Sequence, residues 1–210
     1  MTWFELSEDV VVLKSEEAHS LATTIKEARL NGILDVVVTD LEVAVQYDQN
    51  TDTIELVSKM EKLKIRQEPR EGLQIFELPV CYELGEDLAE VLKFTGLTKE
   101  EFIKEHASRE YQATYGFIPG FLYLSGLPGH LNCARKQTPR TKIPAGSVGI
   151  GGNKTGVYSL ESPGGWQIIG RTPLRFFDIE RSPPSLIPDG VPIKFMPIST
   201  DEFENWNGNP

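Results

Sequence analysis

Residues 115 to 178 constrain the fold more than any other stretch, because glycine and proline interrupt them at short intervals. Proline fixes φ, and glycine supplies positive φ or lets backbone approach closely. Apolar segments cut this often therefore read as short strands joined by shaped turns. The pattern predicts a β-barrel with one elaborated surface.

Three clusters stand out within that run. In the first, Gly116, Phe117, Pro119, Gly120, Phe121 and Tyr123 alternate aromatics with turn formers, so Phe121 and Tyr123 line a pocket wall or, on the plainer reading, cap the barrel as core. The second gathers Arg135, Lys136, Arg140 and Lys142 beside Pro139, Pro144 and the turn Gly146-Ser147, with Gly149 close behind. Guanidinium forks and turn N–H groups together suit a carboxylate or phosphate; a solvated basic loop is the alternative. In the third, Pro163-Gly164-Gly165 delivers Trp166 and a later turn delivers Arg171. The expected site is thus an anion-binding set of Arg135, Arg140, Gly146, Ser147, Gly149 and Arg171, walled by Phe121, Tyr123 and Trp166.

Upstream the chain reads as a different kind of domain. Residues 9–13 are rich in β-branched side chains and predict a strand. Ser15 then serves as an N-cap for a helix with Ala18, Leu21, Ala22, Ile25 and Ala28 at helical spacing, ending at Gly32. Strands follow at 34–38 and 43–47, then a helix capped by Thr51 or Asp52 that places Ile54, Val57, Met60 and Leu63 on one face, then a strand over 73–80. The order βαββαβ predicts a ferredoxin-like domain over residues 1–82, with the barrel over 83–210. Helices between 86 and 106 bridge the two, the second opened by a Thr98/Glu101 capping box. Val191, Ile193 and Phe195 alternate as a last strand, and Thr200 starts a terminal helical turn.

Net charge −10 argues against nucleic acid as a partner. No apolar run approaches a membrane span, and the N-terminus lacks the basic region of a signal peptide, so a cytoplasmic protein is expected. Cys81 and Cys133 are too few and too far apart for a disulfide framework.

Few reactive constellations survive inspection. Gly152-Asn153-Lys154-Thr155 resembles the end of a Walker A loop, but Asn153 stands where glycine must precede the lysine, and a strand-like segment follows instead of a helix. His130 and Cys133 alone make a weak metal site, and no metal is expected. A Cys133 nucleophile with His106 or His130 as base is conceivable, an incidental pairing the plainer reading. His19 lies on a helix with no evident partner.

The strings GFIPGFLYLSGL, PRTKIPAGSVGIGG, KTGVY, SPGGWQIIGRTP and FFD resemble the signature of the family of the 5-oxoprolinase B subunit, also called kinase A inhibitor or allophanate hydrolase subunit 1. Ala134-Arg135-Lys136 stands where the family usually has Pro-Arg-Arg, and Asn153-Lys154 replaces a commoner Ala-Gln type pair. The resemblance implies a small N-terminal domain before a cyclophilin-like barrel. It also implies one component of a multi-subunit, ATP-dependent 5-oxoprolinase, inactive alone. Its partners would be an allophanate hydrolase subunit 2-like protein (the 5-oxoprolinase C subunit) and the lactam-opening A subunit, with ATP and magnesium bound by the complex. The alternative it implies is an inhibitor docking on a sensor histidine kinase. Prolyl isomerase activity rests on barrel architecture alone.

Overall fold

A computed structural model describes residues 2–39, 41–65, 74–115, 120–187 and 191–207. The chain divides into two compact units, Met1–Gly72 and Leu73–Pro210.

In the first unit the strands are β1 (Thr2–Ser7), β2 (Val10–Lys14), β3 (Ile33–Val38) and β4 (Glu42–Tyr47), with helices α1 (Ala18–Ala28) and α2 (Thr53–Glu61). The sheet order is β1-β2-β4-β3, antiparallel throughout. β2, α1, β3, β4 and α2 follow the expected order, but the fourth strand position beside β2 belongs to β1. The strand expected at 73–80 pairs in the second unit instead, so the βαββαβ ferredoxin-like reading is corrected. β1 gave no periodic signal because all six of its residues are exposed.

Two caps also differ. α1 ends at Arg29 in the left-handed region, with φ 45°, three residues before Gly32. Ser15 accepts the Glu17 N–H, and α1 has no side-chain N-cap bond. Asp52 does cap α2, accepting from the Glu55 N–H at 2.8 Å. Leu56, Val57 and Met60 form the buried face of α2, whereas Ile54 is 73% exposed, so the expected helical phase is shifted.

The second unit contains β5 (Phe76–Val80), α3 (Leu88–Thr95), α4 (Lys99–Ala107), β6 (Glu110–Tyr115), β7 (Leu122–Ser125), β8 (Arg140–Ile143), β9 (Ser147–Gly151), β10 (Lys154–Val157), β11 (Ser162–Gly164), β12 (Gln167–Arg171), β13 (Pro192–Pro197) and α5 (Thr200–Glu204). Seven strands form one sheet in the order β12-β9-β10-β7-β6-β13-β5, and β8 pairs with β11 separately. The ends of the large sheet meet through reciprocal backbone bonds between Cys81 and Arg171, of 2.8 and 3.0 Å, which nearly close a barrel. The helices expected to bridge two domains pack on this barrel instead: Val91 and Phe102 are fully buried in its core with Ile169 and Phe195. The Thr98/Glu101 capping box is present, and Gly96 ends α3 with φ 74°. Among the described residues, no helix is long and apolar enough to cross a membrane.

His106 sits at the centre of this core, fully buried. The Thr155 hydroxyl donates to the Gly149 carbonyl at 3.0 Å, so it accepts from His106 Nε2–H at 3.0 Å. Nδ1 is left to accept from the Tyr82 hydroxyl at 2.7 Å. Every polar atom of the ring is satisfied in the neutral form, and the ring stacks on Phe195 with centroids 4.3 Å apart. Burial pulls its pKa from 6.5 down to about 3.

That depression sets a pH dependence. The unfolded chain takes up the histidine proton near pH 6.5 and the folded chain only near 3, so this contribution to stability is intact above 6.5 and is lost as pH falls toward 3. Denaturant unfolding should show about 2 kcal/mol of it lost between pH 7 and 5. His106→Gln should be less stable at pH 7 and lack that part of the slope; an unchanged slope contradicts the assignment.

Candidate functional site

The chain leaving β11 at Gly164 and Gly165 delivers Trp166 into a buried cluster with Phe121, Ile143, Tyr158 and Ile168, and three glycines make room for it. A Cβ on Gly151 would lie 2.5 Å from the indole and one on Gly156 3.0 Å from it, while Gly149 meets the Trp166 Cβ at 3.2 Å. Gly149 and Gly156 are register partners on β9 and β10, so the glycines form a flat bed across two strands. Trp166 meets Phe121 and Tyr123 edge-on, with centroids 5.6 and 5.5 Å away, and Phe121 meets Tyr158 at 4.9 Å. The three expected wall aromatics therefore do come together. Phe121 and Trp166 are buried against one another, however, leaving Tyr123 half-exposed. Phe117 lies outside the described residues.

The cations behave otherwise. Asp87, 2% exposed, is the hub. It accepts from Arg140 Nη2 at 2.5 Å, from Lys136 Nζ at 2.8 Å and from the Ile168 N–H at 2.7 Å, while its own N–H donates to the Ile168 carbonyl at 2.8 Å. Burial opposes ionisation of this carboxyl, but the Arg140, Lys136 and Ile168 hydrogen bonds outweigh it and hold the pKa below the usual range. Lys136 also reaches Glu90 at 3.1 Å, Arg140 Nε lies 3.6 Å from Glu86, and Lys142 pairs with Glu161 at 3.0 Å. Arg140 is therefore engaged with an internal carboxylate, so its expected role as an open anion-binder is corrected.

The expected anion nest is not formed either. The Gly146 N–H donates to the Tyr158 carbonyl at 2.7 Å and the Ser147 N–H to the Pro144 carbonyl at 3.3 Å. Gly146 has φ 81° and turns the chain, Ser147 is buried, and Gly149 belongs to the Trp166 bed. Arg171 stands at the far end of β12, roughly 13 Å along the strand from Gln167. It donates to the Ala145 carbonyl at 3.3 Å and lies over Phe203 at 6.0 Å.

Arg135 remains. Its guanidinium lies 5.7 Å from the Trp166 ring centroid, a cation–π arrangement, and it has no acidic partner among the described residues. It borders a recess of about 310 Å³ between α3 and the segment 133–137, lined also by Glu90, Phe94, Cys133, Lys136 and Gln167. The Lys136 N–H, donating to the Gly165 carbonyl at 2.7 Å, ties this segment to the Trp166 turn.

No nucleophile–base pair accompanies the recess among the described residues. Burial, then the nearby Asp87 and Glu90 carboxylates, push the Cys133 thiol up. His106 is sealed between Tyr82 and Thr155, and His130 pairs with Glu105. The residues of the Walker-like string lie in strand and turn: Lys154 and Thr155 begin β10, and Lys154 Nζ donates to Ser125 Oγ at 2.9 Å. The Walker-like string therefore forms no phosphate-cradling loop.

Reading the sequence missed Asp87, Tyr158 and Gln167 as site residues. Asp87 reads as a helix opener, and its cationic partner Arg140 lies 53 positions away.

Residues 2–187 match the model of the family described as carboxyltransferase domain, subdomain C and D. The chain is similar to the 5-oxoprolinase B subunit of Bacillus subtilis (strain 168), 46% identical over 136 residues, covering 63% of this chain and 57% of that one. It is 42% identical over 169 residues to the 5-oxoprolinase B subunit of Haemophilus influenzae, covering 78% and 79%. Among solved structures it is similar to TTHA0988, with TM-score 0.81 and 31% identity over 90% of this chain and 40% of that one.

Asp87→Ala leaves the buried Ile168 N–H without its acceptor and two half-buried cations without their shared one, and should destabilise the protein by about 1–3 kcal/mol. Asp87→Asn should cost less because it keeps an acceptor. Urea unfolding of both variants at neutral pH checks this; losses below about 1 kcal/mol contradict it.

Proposed function

The chain belongs to the family of the 5-oxoprolinase B subunit, and we propose from that membership and the site's geometry that it is one component of an ATP-dependent enzyme that opens 5-oxoproline to glutamate. The observation that carries the reading is an incomplete site. A recess with one uncommitted guanidinium adjoins a rigid aromatic cluster, yet the surrounding described residues hold neither an activated nucleophile nor a phosphate cradle. Such a surface binds and orients, and another polypeptide supplies the reacting groups. TTHA0988, in which the matched region is 40% of a longer chain, is consistent with this fold working beside further protein.

The chemistry suits that division. A five-membered lactam is a poor electrophile, and its opening depends on holding the ring in one orientation while bulk water is excluded. This chain's part is the holding. Trp166 is fixed on its glycine bed, Arg135 is placed over it, and the segment 133–137 is pinned by Lys136 to Asp87 and Gly165. The partners are an allophanate hydrolase subunit 2-like protein, the C subunit, and the lactam-opening A subunit. ATP and magnesium belong to those partners or to the assembled complex.

The reading as an inhibitor of a sensor histidine kinase calls for exposed aromatic anchors. Phe121 and Trp166, 5% and 4% exposed, do not serve as such anchors, and Phe94, 65% exposed, is the barrel-unit aromatic open to that role.

Purified alone, the chain should hydrolyse no ATP. Mixed with its partner polypeptides it should support ATP hydrolysis that depends on 5-oxoproline and yields glutamate in step, measured by coupled phosphate release and amino-acid analysis. ATP hydrolysis indifferent to 5-oxoproline, or no glutamate, contradicts the proposal.

A further inference from the structure

The sheet of the first unit has two faces, and the strand register separates them. Val11, Leu13, Val36, Val38, Val43 and Val45 pack with α1 and α2 in that unit's buried core. Alternation along each strand then places Phe4, Val12, Ala44 and Val37 on the other face. Phe4 is the register partner of Val12, Val12 of Ala44, and Ala44 of Val37, so these residues make one apolar row across all four strands. The ends of the row protrude, Phe4 being 41% and Val37 55% exposed. One flank of the row carries Lys14 and Glu42, which pair at 3.5 Å, and the other carries Gln46 and Asp35. Lys14 Nζ lies 5.5 Å from the Phe4 ring centroid, as expected of side chains that share this face.

An apolar stripe edged by charge marks a protein contact, and the pattern of this one matches itself. A two-fold axis parallel to the strands lays a second copy on the face with its strand order reversed. Phe4 then meets Val37 of the second copy, Val12 meets Ala44, and Lys14 meets Glu42. Symmetry makes each contact twice, so the two ion pairs within the copies and the two between them form a ring of alternating charge. A two-fold axis across the strands does worse. It sets Phe4 on Phe4 and Val37 on Val37, and leaves Lys14 against Val10 and Glu42 against Gln46. The first arrangement is the aligned packing by which antiparallel sheets cover one another. Four strands about 4.8 Å apart and three rows about 7 Å apart give roughly 400 Å² per copy and roughly 800 Å² in the pair, the size of a weak, reversible contact.

We propose that this face is the interface with a second copy of the chain, packed sheet on sheet with the strands aligned and Lys14 of each copy opposite Glu42 of the other. The proposal goes beyond the enzymatic reading and does not depend on it.

The test is sedimentation velocity of the full-length chain over about 1–300 µM, beside Lys14→Glu, Glu42→Lys, their equimolar mixture and Val37→Glu, each checked for folding by circular dichroism. The unaltered chain should dimerise with Kd of about 1–100 µM. Each charge variant alone brings four like charges together and should dimerise at least about tenfold more weakly. The mixture should dimerise at least as tightly as the unaltered chain, because two carboxylates of one copy then face two ammonium groups of the other. A general charge effect would not do this, since both variants remain net negative. Val37→Glu should remove the dimer. A chain that stays monomeric throughout that range, a dimer indifferent to Val37→Glu, or a mixture no tighter than its two components overturns the proposal.

Discussion

A single buried carboxylate holds the site together. Asp87 joins the start of α3 to β12 through its carboxylate and its own N–H, both bonded to the Ile168 backbone, to β8 through Arg140, and to the segment 133–137 through Lys136. Both walls of the recess are therefore anchored to one side chain. An unpaired ion in such surroundings would be costly, and Asp87 is stable there because two cations and an amide N–H surround it. The arrangement fixes geometry and cancels charge at once.

The aromatic cluster depends on a second constraint, the absence of side chains. A Cβ on Gly151 or Gly156 would meet the Trp166 indole, and one on Gly149 the Gln167 carbonyl and the Trp166 Cβ. With the ring pressed against two strands and edge-on to Phe121 and Tyr123, the guanidinium above it has a fixed platform. Rigid placement of this kind fixes the arginine over the ring in one geometry.

Much of this was legible in the sequence, and the losses have physical reasons. Dense glycine and proline spacing reported a barrel, and Thr98 with Glu101 reported a capped helix, because both signals are local. The likeness of SPGGWQIIGRTP and its companion strings to one family was confirmed by the match over residues 2–187. Strand partnership was not legible. β5 looked like the closing strand of the first unit, yet it pairs in parallel with β13, more than a hundred residues later, as Phe76 with Ile193 shows. Arg140 and Lys136 looked like anion binders because nothing local reveals that their counter-charge is Asp87. Glycines at 146–149 looked like a nest because composition cannot tell a free N–H from one already used in a ladder.

The central physical claim is that Asp87 silences the basic segment by drawing Lys136 and Arg140 into internal ion pairs. Titrating tripolyphosphate into the chain and into Asp87→Asn, with backbone amides 133–142 observed by NMR, tests it most directly. The unaltered chain should show no binding there, and Asp87→Asn, in which the charges of Lys136 and Arg140 lose the Asp87 counter-charge, should acquire it. Tight tripolyphosphate binding at these residues in the unaltered chain would contradict the claim.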